Sequence, residues 1–221
     1  MNVLITGANR GLGLTLTRRF ARDGFGLILT CRSGNPPDDV DGVVPFMRVI
    51  GGDLTMAATL INIHETLDEF GVDLVVNNAG VYSDESLQDM PSEKIIVISS
   101  VNFMIPIMIT QIAWPYLEKS KNGAIININS VAGLNSSYNE PVYSATKFGL
   151  RGFSEAMDKV GRPAGIRVLS IYPGAMKTDM VRHREDWDNL ISPEAVADAV
   201  FDLYNRKYDS LAVTSITLER F

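Results

Sequence analysis

Met1-Asn2-Val3-Leu4-Ile5-Thr6-Gly7-Ala8-Asn9-Arg10-Gly11-Leu12-Gly13 decides how this chain is read. A short apolar run, Val3-Leu4-Ile5, breaks at Thr6-Gly7. A helical pattern then runs over 12–23 and stops at Gly24. Glycines 7, 11 and 13 lie in between. Glycine allows a tight strand-to-helix turn and lets a pyrophosphate approach the amides of a helix N-terminus. A plain glycine-rich turn would have the same composition; the position after a strand and before a helix favours dinucleotide binding.

Apolar runs and helical patterns alternate along the rest of the chain. Strands are expected at 26–30, 47–50 (leading into Gly51-Gly52-Asp53), 72–76, 123–129 and 167–172, with a last one at Leu211-Ala212-Val213-Thr214. Helices are expected at 57–70, 92–119 and 143–160, and from Ser192-Pro193, an N-cap with proline at the first position, to about Tyr204. Residues 33–41 hold two prolines and three aspartates and read as a loop or a frayed short helix. Strands alternating with helices imply one α/β domain over residues 1–221. The expected fold is a Rossmann-like, doubly wound parallel sheet of about seven strands with helices on both faces. Runs such as Leu74-Val75-Val76 suit strands buried on both sides. Thr6-Gly7, Asp53, Asn78-Ala79-Gly80, Ser130 and Pro173-Gly174 all directly follow strands. They should gather along the carboxyl edge of the sheet, where such folds bind ligands.

The 221 residues are 46% apolar with a net charge of −6. That charge argues against a nucleic-acid surface, which needs a basic stripe. A single cysteine, Cys31, excludes an internal disulfide and reads as a buried strand-end thiol. Two separated histidines give no metal-site spacing. The first strand begins at once, without the basic start and longer apolar run of a signal peptide, so cytoplasm is the expected compartment. Residues 95–117 carry no charge and are long enough to cross a bilayer. Asn102, Pro106, Thr110, Gln111 and Pro115 fit a helix packed on a sheet better than one facing lipid. Ile105, Met108, Ile109 and Ile112 recur at helical spacing and would suit either the sheet or a partner subunit.

The second expected strand ends in Leu29-Thr30-Cys31-Arg32, without the acidic residue that would bind an adenosine ribose 2′-hydroxyl. Arg32, helped by Arg10, could grip a 2′-phosphate instead. NADP(H) is therefore expected over NAD(H). Asp53 reads as an acceptor for the adenine amino group, with Leu54 against the ring, or as the N-cap of the following helix.

Far downstream stands Tyr143-Ser144-Ala145-Thr146-Lys147. Positions i and i+4 share a helix face. A lysine ammonium beside a phenol should lower the tyrosine pKa toward working pH.

Together these residues resemble the short-chain dehydrogenase/reductase family in its compact single-domain form. The resemblance runs from Met1 to about Tyr204. It rests, in order, on Thr6 to Gly13, Asp53-Leu54, Asn77-Asn78-Ala79-Gly80, Asn102, Ser130, Tyr143 with Lys147, and Pro173-Gly174 with Thr178. It implies an oxidoreductase passing hydride between NADP(H) and a small carbonyl or alcohol substrate. In the implied roles Tyr143 is the general acid and base, and Lys147 holds the nicotinamide ribose and lowers the Tyr143 pKa. Ser130 polarises the substrate oxygen. Asn102 shapes its helix and holds a water for the proton relay. Gly7, Asn9, Arg10, Gly11, Leu12, Gly13, Asn78, Ala79 and Gly80 line the cofactor, and Pro173, Gly174 and Thr178 cradle its nicotinamide end. The resemblance also implies a homodimer, or a tetramer.

Departures bear on the substrate side. Asn129 stands where the family more often has serine. The segment 179–191, with His183 and Trp187, is short for a substrate lid, so the pocket is expected to be open or completed by another subunit. The tail after the last strand is short, and His64 reads as a surface residue. A cofactor-binding regulator on the same fold is the competing reading. A sugar-nucleotide epimerase would want a further domain.

Overall fold

Strand alternation, read along the observed sheet, explains why this chain forms two core layers. The structure, a computed structural model, describes residues 1–35, 37, 40, 44–206 and 212–220. Among these, β1 (Asn2–Thr6), β2 (Gly26–Cys31), β3 (Met47–Gly51), β4 (Leu74–Asn77), β5 (Ala124–Ile128), β6 (Arg167–Pro173) and β7 (Ser215–Leu218) form one parallel sheet. The order is β3-β2-β1-β4-β5-β6-β7. Val3 and Ile5 of β1, with Leu74 and Val76 of β4, enter one apolar cluster, whereas Leu4 and Val75 enter the other. The first cluster is closed by α1 (Gly11–Arg22) and α6 (Pro193–Asn205). The second is closed by α2 (Ala57–Phe70) and α4 (Ile105–Leu117). Outside α4, α3 (Ser92–Ser99) lies against α5 (Pro141–Gly161), which crosses β6. Fully burying one such aliphatic side chain contributes about 1.5–3 kcal/mol, so a strand buried on both faces anchors both helix layers. Phe20, Phe25, Phe201 and Tyr204 lock α1 to α6 through edge-to-face contacts with centroids 5.1–6.3 Å apart.

The chain winds outward from β1 to β3, returns, and winds the other way from β4 to β7. The carboxyl ends of β1 and β4 therefore flank the switch in strand order, the crevice where such sheets bind ligands.

Two expectations are corrected. The last strand is Ser215–Leu218 rather than 211–214; Leu211 itself lies outside the described residues. As an edge strand it needs alternation rather than continuous apolarity. Ile216 and Leu218 pack inward while Ser215 and Thr217 are exposed. The long helix is not continuous: α3 passes through a π turn, Ser100–Met104, before α4. Pro106 lacks the N–H that an uninterrupted α-helix would give to the Asn102 carbonyl, and the wider turn absorbs that break. Within the apolar helix face, Ile105 and Ile109 are buried against the sheet and only Met108 is well exposed. Of the 33–41 loop, Pro36, Asp38, Asp39 and Asp41 lie outside the described residues. Val40 is buried in the first core cluster.

Residues 92–117 are the one described helix long and apolar enough to cross a membrane, with mean hydropathy 2.0. Ile105, Ile109, Ala113 and Leu117 within it wall the second core cluster.

Helix α1 meets the β1 turn at Gly13, where an added Cβ would stand 1.9 Å from the Gly7 carbonyl oxygen and 2.7 Å from Asn78 Nδ2. Backbone on one side leaves little room to relax. Gly13→Ala should destabilise the protein by about 1–3 kcal/mol, read as a lowered urea midpoint with unchanged slope.

Candidate active site

Thr6 ends β1, and its hydroxyl ties the first two turns together. It accepts hydrogen bonds from the amides of Asn78 (3.0 Å) and Ala79 (2.9 Å). The Asn78 side-chain amide donates to the carbonyls of Thr6 (2.8 Å) and Gly7 (3.3 Å). Gly7 adopts φ +66°, a left-handed conformation open to glycine and costly for a residue with Cβ. Helix α1 then opens at Gly11 with Arg10 in an extended N-cap conformation and no side chain capping it. Its first amides and the positive end of its dipole face a cleft of about 440 Å³.

One end of this cleft is lined by Asn9, Arg10, Thr30, Cys31, Arg32 and Ser33, with Asp53 and Leu54 after β3. Asn9 Nδ2 donates to Ser33 Oγ at 3.4 Å. The Asp53 carboxylate accepts from the Thr55 amide (2.8 Å) and hydroxyl (2.7 Å), forming a local turn. Those hydrogen bonds hold its pKa below the ordinary value, with a smaller contribution from Arg32. Asp53 is not a helix cap: α2 starts later, at Ala57, behind Met56. Cys31 is buried, as expected of a strand-end thiol.

The other end is built by β5 and α5. Lys147 is 4% exposed, and its ammonium donates to the Ile128 carbonyl at 3.0 Å. Burial lowers its pKa to about 8. Tyr143, one helical turn earlier, presents a half-buried ring to the cleft. Lys147 Nζ lies 5.6 Å from that ring's centroid. Ser130, after β5, acts to lower the Tyr143 pKa. Its own oxygen accepts from the Ala132 amide at 3.1 Å, leaving its proton to donate. The expected lowering of the Tyr143 pKa is corrected. Removal from water pushes the phenol above its ordinary value and outweighs the opposite effect of Ser130. The enclosed phenol thus keeps its proton and is a donor.

Asn102 is 1% exposed and does not line the cleft. Its amide pairs with the Val81 backbone in both directions (2.8 Å each) and approaches Thr146 Oγ1 at 3.4 Å. It fixes the loop after β4 against the π turn and α5. Pro173 and Gly174 also lie off the cleft wall, where Gly174 donates to the Leu218 carbonyl at 2.8 Å. Thr178 does reach the wall; its methyl would be 3.2 Å from a Cβ at Gly11. Gly7, Gly11, Leu12, Gly13, Asn78, Ala79 and Gly80 line the middle.

Sequence reasoning missed several neighbours. Val97, Val101, Met176 and Met180 add apolar wall from distant segments. Tyr82 packs edge-on to Tyr143, centroids 5.1 Å apart at 82°. Position just after Asn78-Ala79-Gly80 could have flagged Tyr82; nothing local marks the two valines. The segment 179–191 forms two 3₁₀ turns, Asp179–Val181 and Trp187–Asn189. It is anchored by the Met176–Ile191 bridge and by an Asp186 carboxylate that takes both Arg184 and Arg220. His183 is exposed but lies 3.4 Å from Asp84. His64 is exposed beside Asp68.

Comparison with known proteins agrees with this architecture. Residues 1–189 match the family described as short chain dehydrogenase. An acetoacetyl-CoA reductase of Acinetobacter sp. is 31% identical over 223 residues, covering 90% of this chain and 88% of that protein. An uncharacterized oxidoreductase of Staphylococcus epidermidis is 27% identical, covering 89% and 87%. A short-chain dehydrogenase from Sphingobium yanoikuyae in complex with NADPH superimposes with TM-score 0.86 at 27% identity, over 97% of this chain and 87% of that one. A 4-hydroxyisoleucine dehydrogenase complexed with NADH shares the fold with TM-score 0.90 at 22% identity, over 99% and 97%. With its Rossmann-like sheet and a match over residues 1–189, the chain belongs to the short-chain dehydrogenase family of oxidoreductases.

Proposed function

We propose that this protein transfers hydride between NADP(H) and a carbonyl or alcohol carbon of a small molecule. The observation that carries the reading is the Tyr143 ring in the cleft wall, one helical turn from buried Lys147. It stands in the cleft that begins at the open N-terminus of α1.

The residues present fit a dinucleotide. The α1 amides face the cleft uncapped by side chains, which suits a pyrophosphate, and Gly13 lets α1 close on the β1 turn. Asn129 lines the cleft, and its buried Nδ2 has no hydrogen-bond partner among the described residues. Arg10, Arg32, Asn9 and Ser33 would hold the adenosine end. Their cations and hydrogen-bond donors suit a 2′-phosphate. Asn129 and Lys147 would hold the ribose next to the reacting ring.

The nicotinamide supplies or accepts the hydride. In reduction Tyr143 gives its proton to the substrate oxygen, and in oxidation it takes that proton back. Ser130 donates to the same oxygen and stabilises its developing negative charge. Lys147 keeps its ammonium 5.6 Å from the centroid of the Tyr143 ring, beside the place proposed for the ribose. Asn102 acts at a distance, by holding Val81 and Thr146 in place.

An assembly is proposed on the same helices, through Met108, which the spacing suggested, and through residues it did not. Ile96, Met104 and Met108 are 40–63% exposed, and Phe148 of α5 is 41% exposed. A homodimer would cover them.

Three outcomes are expected. Tyr143→Phe should cut turnover by about 10²–10⁴-fold while NADPH affinity, from fluorescence titration, changes little; retained turnover would overturn the mechanism. Arg32→Glu should weaken NADPH over NADH by an additional factor of about 10–100 in Kd, and equal effects on both would overturn the NADP(H) assignment. Met108→Glu should shift the sedimentation coefficient from dimer to monomer; an unchanged coefficient would place the interface elsewhere.

A further inference from the structure

Tyr143 stands on the first turn of α5, which opens at Pro141, and its ring forms part of the cleft wall. The helix fixes the backbone there but leaves the ring several staggered positions. Proton transfer needs one of them, because a misplacement of about 1 Å can cost about a hundredfold in rate. Lys147 Nζ lies 5.6 Å from the ring's centroid. The Tyr82 ring comes closer and packs edge-on against it, centroids 5.1 Å apart at 82°. The charge distribution of two aromatic rings favours this near-perpendicular arrangement, with the edge of one against the face of the other.

Tyr82 comes from a stretch with no regular structure of its own: no strand or helix lies between β4 and α3. A ring there is useful as a brace only if its backbone is held. Asn102, in the π turn, holds it. The Val81 amide donates to Asn102 Oδ1, and Asn102 Nδ2 donates to the Val81 carbonyl, both at 2.8 Å. The same Nδ2 approaches Thr146 Oγ1 at 3.4 Å, and that hydroxyl donates to the Tyr143 carbonyl at 2.7 Å. One buried amide therefore grips the residue before Tyr82 and, through Thr146, the backbone of Tyr143. On the far side of Tyr82, Asp84 meets His183 at 3.4 Å and Glu85 meets Lys94 at 2.6 Å. The loop is tied down on both sides of the ring.

We infer that Tyr82 is a positioning residue for the proton transfer: its ring, tied to the π turn through Val81, fixes the orientation in which Tyr143 presents its hydroxyl. The ring of Tyr82 carries this role and its hydroxyl does not. The inference rests on the hydride-transfer reading above and adds to it the group that aims the phenol.

Reduction of acetophenone, cyclohexanone and ethyl acetoacetate with NADPH tests it, using whichever ketone the wild type turns over fastest. Tyr82→Leu, which removes the ring, should lower kcat by about tenfold, while KM for NADPH changes by less than about twofold. Tyr82→Phe, which keeps the ring, should restore most of the lost rate. Added to Tyr143→Phe, Tyr82→Leu should cost the residual rate less than about twofold, since no phenol is left to aim. A kcat unchanged in Tyr82→Leu, an equal loss in Tyr82→Phe, or the same loss with and without the Tyr143 hydroxyl overturns the inference. Fluorine NMR of protein labelled with meta-fluorotyrosine reads the same brace without turnover. The Tyr143 signal is identified by its loss in Tyr143→Phe. The order of that ring, from fluorine relaxation, should fall in Tyr82→Leu and hold in Tyr82→Phe. Lost order in Tyr82→Leu with no ketone reduced by the wild type would sink the hydride-transfer reading and leave the hold of Tyr82 on Tyr143 standing. Unchanged order in Tyr82→Leu overturns the role of Tyr82 alone, whether or not a ketone is reduced.

Discussion

The buried Lys147 ammonium, held 3.0 Å from the Ile128 carbonyl, is the contact on which the reacting end depends. A cation taken out of water is costly unless polar atoms receive it. The carbonyl at the end of β5 is the acceptor seen here, so α5 must run close to that strand end. Gly133 lets it do so: an added Cβ there would stand 2.9 Å from the Lys147 carbonyl oxygen. Deeper in the sheet, Asn77, Asn127 and Ser154 form a buried chain of hydrogen bonds of 2.8 Å each, from β4 across β5 to α5. With the rotation of α5 fixed in this way, Tyr143 one turn earlier must face the cleft.

The two ends of the cleft are built differently. The nucleotide end is a local device of one turn, one helix N-terminus and the ends of adjacent strands. Thr6 bonds it to the turn after β4. The reacting end is assembled from long-range contacts: the π turn to Val81, Lys147 to Ile128, Tyr82 to Tyr143, and the 179–191 segment tied to Arg220. A fold that fixes the first end firmly can vary the second, because the loops that carry it leave the sheet unaltered.

This division explains what was readable in advance. Helix α2 falls at Ala57–Phe70, as its apolar spacing implied, and β1 to β6 fall within two residues of the expected runs. The last strand was misplaced because an edge strand such as Ser215–Leu218 is written in alternation, and the more apolar stretch before it drew the eye. The π turn went unseen because Pro106 signals a break without saying how the helix absorbs it. Most of the nucleotide end was legible in Thr6 to Gly13, Arg32 and Asn78-Ala79-Gly80, since such turns depend on residue type and local order. Tyr82 was not: nothing local says that its ring packs edge-on against Tyr143.

By itself the sequence determined the parallel α/β sheet, the glycine turn and the pairing of Tyr143 with Lys147 on one helix face, because each follows from short periodicities and local backbone chemistry. Only the tertiary structure decided the ionisation of that pair. Enclosure holds the phenol protonated and lowers the lysine to about 8, the reverse of what adjacency along a helix suggested for the phenol. It also decided which apolar residues face outward and which ring packs against Tyr143. The physical reason is the same in each case: desolvation and long-range contact depend on what the rest of the chain packs against a residue, and spacing along the sequence carries no record of that.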